Sequence, residues 1–336
     1  MAQTSSPFST IYAFGDSLSD AGNISTLTSV SGTTEPVSPP YFQENYGSAF
    51  GNVSSTGPTL VQDLLGLQDQ HHIGAVTGNV FSNGPTWVQD LSLDLGLGTL
   101  KPSLLGGTDF AYGGAETGST PQNATDPAIQ AISLPAQLSE FQGDVSKPSA
   151  GALYTLSIGS NDILDILGNP SLSAQQQLND LNAAVTNEIS FVKHLVADGA
   201  TNVLVLNVPD LGKTPDVTSG AANGSNTPSA ALDAEASHLS SAYDTALASG
   251  LATIGSATVH VINAYQLIDN AVANPAAFGL TNVTTPVWSG NFTSASSGTL
   301  AVTGTAAQDR YLFWDHLHPT ESGHLALAAA AEQLIG

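Results

Sequence analysis

Three short stretches carry side chains suited to acyl chemistry. The first reads Phe14-Gly15-Asp16-Ser17-Leu18-Ser19-Asp20. A serine directly behind an apolar run, flanked by Gly and Asp, is placed to act as an exposed nucleophile once a base takes its proton. A serine at a strand–helix turn is equally at home as a helix N-cap. The stretch is not a G-x-S-x-G elbow, because Ser19 stands at the fifth position. The second reads Trp314-Asp315-His316-Leu317-His318-Pro319-Thr320. An Asp three residues before a His can fix the imidazole through one ring nitrogen and leave the other for a hydroxyl. His316, His318 and His324 with Asp315 form a competing metal-ligand set, and Pro319 and Thr320 are suited to opening a final helix. The third reads Gly159-Ser160-Asn161-Asp162. The Asn161 amide can donate to a developing oxyanion, or it can cap an Asx-turn.

Short runs rich in β-branched residues must position these groups. Residues 9–15, 109–113, 152–159, 202–208 and 258–263 are apolar and bounded by Gly, Asn or Asp, as buried parallel strands are. Helical periodicity fills the intervals at 85–95, 174–198, 229–254 and 320–334. Alternation of this kind predicts a parallel sheet covered by helices on both faces, with ligands at the carboxyl ends of the strands. Ser17 and Asn161 follow directly on such ends. Residues 214–228 and 281–308, rich in Ser, Thr, Gly and Asn, read as long surface loops. Residues 51–64 and 78–91 repeat one pattern, GNVSSTGPTLVQDL and GNVFSNGPTWVQDL, at an offset of 27. Two copies make a local duplication and not a solenoid.

Composition narrows the function. The chain has 336 residues, of which 28 are Asp or Glu and only 5 Lys or Arg, for a formal charge of −23. Such a surface repels phosphate backbones, which argues against nucleic acid as a partner. With no cysteine, disulfides, thiolate catalysis and cysteine–zinc sites are excluded. No stretch is long and apolar enough for a transmembrane helix. The first residues, Met1 to Ser6, lack the basic and apolar regions of a signal peptide. The Gly-, Ser-, Thr-, Asn- and Ala-rich, Lys-poor composition nonetheless reads as that of an exported or cell-surface bacterial protein. The chain is read as a monomer.

Taken together, the blocks resemble those of the GDSL, or SGNH, hydrolase family. They occur in order: Gly15-Asp16-Ser17-Leu18, the Gly84 block FSNGPTWVQDL, Gly159-Ser160-Asn161-Asp162, and Asp315-His316-Leu317-His318. SPPYF at 38–42, GTDFAYGGA at 107–115 and NVPDLGKTP at 207–215 extend the likeness over nearly the whole chain. The Asp20–Asn23 run, DAGN, is shared with bacterial secreted esterases and lecithinase-like enzymes. The resemblance implies a three-layer α/β/α sandwich, flavodoxin-like, around a five-stranded parallel sheet. It implies one such domain over residues 1–336, with a duplicated insertion around 51–77. It also implies a triad of Ser17, Asp315 and His318, and an oxyanion hole formed by the Ser17 and Gly84 N–H groups with the Asn161 amide. The expected reaction is hydrolysis of short- to medium-chain acyl esters or lysophospholipid-type lipids, without a cofactor. Acyl transfer by the same residues, a non-catalytic passenger module and a metal-dependent hydrolase are the rival readings. The duplication offers Gly57 as a second oxyanion glycine. Gly84 is assigned because Phe81, Asn83 and Trp87 surround it, where the first copy has Ser54, Thr56 and Leu60.

Overall fold

A computed structural model describes residues 6–29, 32–48, 75–118, 126–255 and 257–336. The first copy of the repeat with Gly57, and nearly all of the expected 51–77 insertion, lie outside the described residues. Among the described residues, six strands are present: β1 (Ile11–Gly15), β2 (Gln43–Ser48), β3 (Ala75–Asn79), β4 (Leu153–Ser157), β5 (Asn202–Leu206) and β6 (Thr258–Ile262). β1, β4, β5 and β6 form a parallel sheet in that order. β2 and β3 pair antiparallel as a separate ribbon.

Successive side chains on the central strands point to opposite faces, and each face meets its own helices. Phe14, Tyr154, Leu156, Val203 and Val205 belong to one apolar cluster. Ile11, Ala13, Leu153, Leu204 and Leu206 belong to another. The first is covered by α4 (Leu134–Asp144), α5 (Ser160–Gly168), α6 (Ala174–Asp198) and α7 (Ala230–Leu251). The second is covered by α2 (Trp87–Asp94) and α9 (Glu321–Ile335), with Ala264 from α8 (Ala264–Ala273). Helices α1 (Asn23–Ser29) and α3 (Pro127–Ile132) complete the set of labelled helices. The arrangement is the three-layer α/β/α sandwich expected from the sequence.

The sheet has four strands where five are expected. The fifth position is occupied: residues 108–112 run parallel to β1, bridging Ala13 to Asp109. Phe110 N–H donates to the Ala13 carbonyl at 2.7 Å, and Tyr112 N–H to that of Gly15 at 3.0 Å. The segment falls short of a strand because the Gly15 N–H, which would make the next rung to it, donates instead to Gln137 Oε1 at 2.9 Å, and side chains hold its outer backbone groups. Asn23 Nδ2 donates to the Asp109 and Ala111 carbonyls at 2.8 and 2.9 Å, and Asp20 accepts from Gly113 N–H at 2.8 Å. The DAGN run is therefore a clamp on the sheet edge. Counting this segment, the spatial order is second-first-third-fourth-fifth in chain sequence, which is flavodoxin-like. The order reverses between β1 and β4, and there a ligand crevice opens at the carboxyl ends.

Loop 281–308 is more than surface decoration. Trp288 bridges antiparallel to Leu300, and Val287 and Trp288 pack with Tyr41 and Trp314 in a small core of their own. Loop 214–228 contains a single helical turn at Pro215–Thr218. Among the described residues, no helix is long and apolar enough to cross a membrane.

Candidate active site

β1 ends at Gly15, whose φ of +132° suits glycine alone. A side chain there would strike the Ser157 carbonyl of the neighbouring strand. The Asp16 N–H makes the last rung to that carbonyl at 2.9 Å, and the chain then turns sharply. The Asp16 carbonyl accepts from Ser19 and Asp20 N–H, both at 3.0 Å, and its carboxylate accepts from Leu18 N–H at 3.0 Å. Ser17 stands at the tip of this turn. Its N–H has no protein acceptor among the described residues.

A second turn faces it. Asp315 Oδ1 accepts the backbone N–H groups of Leu317 and His318 at 2.8 and 2.7 Å. This folds the Asp–His segment back on itself, so that the imidazole Nδ1 lies 2.8 Å from Asp315 Oδ2 and 3.0 Å from Oδ1. The other ring nitrogen, Nε2, lies 2.8 Å from Ser17 Oγ. The expected trio thus meets across 301 residues of chain, and all three side chains are buried. Burial alone would raise Asp315, but the His318 charge, its ring and backbone donors and the Tyr41 hydroxyl outweigh that and hold it below the usual carboxylate value. Asp16, fully buried beside Ser17, is pushed up to about 7 by desolvation, which its hydrogen bond from Leu18 and the nearby His318 only partly offset.

Asn161 lies in the first turn of α5, across the crevice opened by the strand order. Gly159, with φ +103°, lets the chain enter the helix there, and a side chain on it would collide with the Tyr243 ring. Asn161 Nδ2 donates one N–H to the Ala115 carbonyl at 2.8 Å. An amide nitrogen carries a second N–H.

Gly84 precedes α2 and is buried. Its loop is clipped on both sides. Asn83 donates to Asp309 Oδ1 at 3.0 Å and accepts from Glu321 N–H at 2.8 Å. Ser82 Oγ donates to the Pro319 carbonyl at 3.0 Å, immediately after His318. A methyl group on Gly84 would lie 2.6 Å from Glu321 Cγ and Cδ. The Gly84 N–H has no protein acceptor among the described residues. The Phe81 ring lies over the His318 imidazole, with centroids 4.9 Å apart.

The competing metal set does not assemble. His318 has Asp315 on one nitrogen and Ser17 on the other. His316 Nε2 turns to the Ser289 carbonyl at 3.3 Å. His324 Nδ1 accepts from Trp87 N–H at 3.2 Å, and burial together with the His318 charge pushes it down to about 3. Among the described residues, no group of three or more His, Cys, Asp or Glu side chains converges in a way that could hold a metal ion.

A cavity of about 100 Å³ opens beside Ser17, Asn161 and His318. Its walls are apolar, including Leu206, Leu211, Leu267, Phe278, Leu312 and Leu317. Leu206, Leu267, Phe278 and Leu312 come from a strand end, α8, the turn after it and the segment before Asp315, which no motif marks, whereas Leu211 and Leu317 lie in the NVPDLGKTP and Asp–His blocks. Two buried polar residues also stand near the site, Gln137 outside every motif and Tyr41 inside SPPYF. Gln137 Oε1 accepts from Gly15 N–H at 2.9 Å, while its Nε2 donates to the Gly15 and Ile132 carbonyls, both at 2.8 Å. Tyr41 donates its hydroxyl to Asp315 Oδ2 at 2.7 Å.

Comparison with known proteins places the chain as a whole. The family model described as GDSL-like lipase/acylhydrolase matches residues 11–331. The chain is similar to esterase EstA of Pseudomonas aeruginosa, at 28% identity over 98% of this chain and 47% of that protein. It is similar to a GDSL esterase/lipase of Arabidopsis thaliana, at 29% identity over 66% of this chain and 62% of that one. It is also similar to the phosphatidylcholine-sterol acyltransferase of Aeromonas hydrophila, at 25% identity over 98% of this chain and 90% of that one. The chain spans about half the length of the EstA proteins it matches. With a family match over nearly its whole length, the chain belongs to the GDSL-like lipase/acylhydrolase family.

Proposed function

We propose that this protein hydrolyses carboxylic esters through an acyl-enzyme on Ser17. The observation that carries the reading is the continuous relay from Asp315 through His318 to Ser17 Oγ, with contacts of 2.8 Å on both sides of the imidazole, at the mouth of an apolar cavity. A neutral serine is a weak nucleophile and needs a base in hydrogen-bond contact. His318 Nε2 takes the Ser17 proton as Oγ attacks the acyl carbon, and returns it to the leaving alcohol. Water then attacks the acyl-enzyme with the same nitrogen as base, and Ser17 recovers its proton. Asp315 fixes the Nδ1–H tautomer and stabilises the imidazolium. The oxyanion of each tetrahedral intermediate is held by the Ser17 and Gly84 N–H groups and the second N–H of Asn161.

The apolar walls favour short- to medium-chain acyl groups, from a simple ester or a lysophospholipid, over the acetyl groups of a sugar. Acyl transfer uses the same intermediate with an alcohol in place of water, and the likeness to the Aeromonas acyltransferase keeps that reading beside hydrolysis. The Gly-, Ser-, Thr-, Asn- and Ala-rich, Lys-poor composition fits a bacterial protein working outside the cytoplasm. The test is a series of p-nitrophenyl esters of increasing acyl length, run beside a lysophospholipid and an acetylated sugar, with and without an acceptor alcohol. A rise in kcat/KM from acetyl toward medium chains is expected. Preference for the acetylated sugar, with no gain from chain length, would contradict the reading.

A further inference from the structure

We propose that Tyr41 is a positioning residue for the reaction, acting through Asp315 on His318; the proposal rests on the triad reading given above. Tyr41 is 2% exposed, and its hydroxyl donates to Asp315 Oδ2 at 2.7 Å across 274 residues of chain. The other donors to this carboxylate are local: Leu317 and His318 N–H on Oδ1, and the imidazole Nδ1 itself. Those contacts arise within one turn and move with it. Among the described residues, Tyr41 is the donor that ties the carboxylate to a different part of the fold. It shares Oδ2 with the imidazole, so it fixes the oxygen on which the ring is aligned.

The ring of Tyr41 is braced as well. It meets Trp314 edge-on at 6.0 Å and Phe81 at 6.3 Å, and Phe81 in turn lies over the His318 ring. Burial and the adjacent carboxylate push the phenol well above its usual ionisation range, so it remains a donor at every working pH. Tyr41 is not among the residues lining the apolar cavity, so its loss is expected to leave substrate binding unchanged. Removing a donor from a buried carboxylate concentrates the negative charge facing the imidazole. The imidazolium is then stabilised, and a lower pH is no longer needed to protonate the base. Asp16, Asp216 and His324 are the other ionisable groups whose charges act on this pair. None of them changes in a Tyr41→Phe variant.

Tyr41→Phe keeps the ring contacts and removes only the hydroxyl. The expected result is a fall of roughly tenfold in kcat, the effect of a barrier rise of about 1.4 kcal/mol, with KM unchanged. The acidic limb of the kcat/KM profile should move to higher pH, and the proton resonance of the His318 Nδ1–H should shift. A ring with only a packing role would move neither the limb nor the resonance. Tyr41→Leu, which also removes the ring, separates the two contributions: it should lower Tm further than Tyr41→Phe does. The proposal is overturned if Tyr41→Phe keeps wild-type kcat and pH profile, if its loss falls wholly in KM, or if its kcat loss merely follows its Tm loss. Phosphonate labelling of Ser17 in the wild type keeps the two claims apart. An unlabelled Ser17 defeats the triad reading, whereas a labelled Ser17 with an unaltered Tyr41→Phe profile defeats this proposal alone.

Discussion

Replacing Asn161 tests the proposed oxyanion hole most sharply, because its amide has two N–H groups with separate tasks. One is spent on the Ala115 carbonyl at 2.8 Å. The other is the proposed donor to the oxyanion, which gathers full charge only as the tetrahedral intermediate forms. Asn161→Ala removes both. Loss of one oxyanion donor costs about 2.7–4 kcal/mol in the transition state, or roughly 10²–10³ in kcat. KM should change little, since the ground-state carbonyl makes the weaker use of the donor. Loss of the Ala115 contact leaves the carbonyl of a buried residue short of a partner and should cost about 1–3 kcal/mol of stability. The two losses are read separately, kcat and KM with p-nitrophenyl butyrate and stability by denaturant titration. Asn161→Asp keeps the shape but offers acceptors to both the Ala115 carbonyl and the oxyanion. It should therefore be at least as inactive as the alanine variant. An effect confined to KM, or an Asp variant with more than about a tenth of wild-type kcat, would make Asn161 a binding residue and refute the reasoning.

A methyl at Gly84 would press on Glu321 and displace the loop, so Gly84→Ala should lower kcat by at least about tenfold. Gly84→Pro, which deletes the N–H outright, should abolish turnover in a protein that circular dichroism shows to be folded. Gly57→Pro should leave activity within about an order of magnitude, and the opposite ranking would move the oxyanion glycine to Gly57. Gln137→Leu strands the buried Gly15 N–H and Ile132 carbonyl, at about 1–3 kcal/mol each, and should lower the denaturation midpoint accordingly; an unchanged midpoint contradicts this. Stability should rise on acidification from pH 8 to 5. Burial raises Asp16, Asp162 and Asp244 to about 7 and Glu116 to about 9. The unfolded values lie near about 4, so the stabilisation is complete below that and is lost as pH rises through the folded values. Asp315 and His324 run the other way. The Asp315 contribution is lost only as pH falls through its lowered folded value. His324, held down to about 3, withdraws stability as pH falls through the ordinary imidazole value, one group against the four raised carboxyls. A Tm that drops between pH 7 and 5 would contradict the expectation. Activity should fall at acid pH, where a protonated imidazole no longer serves as the base.

The sequence discloses what is local and periodic. The helix expected at 174–198 is found as Ala174–Asp198, because Ser173 accepts from Gln176 N–H at its start and Gly199 turns left-handed at its end. The central strands are legible because β4 is buried throughout and β5 nearly so, leaving unbroken apolar runs. The edge segment at 108–112 reads as a strand by its apolar content, yet its backbone is held by Asn23 and Asp20, distant side chains that no periodicity records. Helices α1, α3, α4, α5 and α8, of 6 to 11 residues, escape a periodicity reading, although α2, of 8 residues, is read within 85–95. At the site, Ser17, Asn161, Asp315 and His318 each sit in a motif. Tyr41 sits in SPPYF, which carries the family likeness but no sign of its partner, and Gln137 sits in no motif. Their roles depend on partners 274 and 122 residues away, and only the folded chain brings those partners into contact.

The most direct test of the central claim is the site and consequence of covalent labelling by an active-site-directed phosphonate ester. Intact mass spectrometry followed by peptide mapping should find one adduct per chain, on Ser17, formed at a rate that falls as His318 is protonated. Ser17→Ala should take up no label and lose on the order of 10⁶ in kcat while remaining folded. Label on another residue, or a Ser17→Ala variant retaining about a tenth of wild-type turnover, would contradict the acyl-enzyme account.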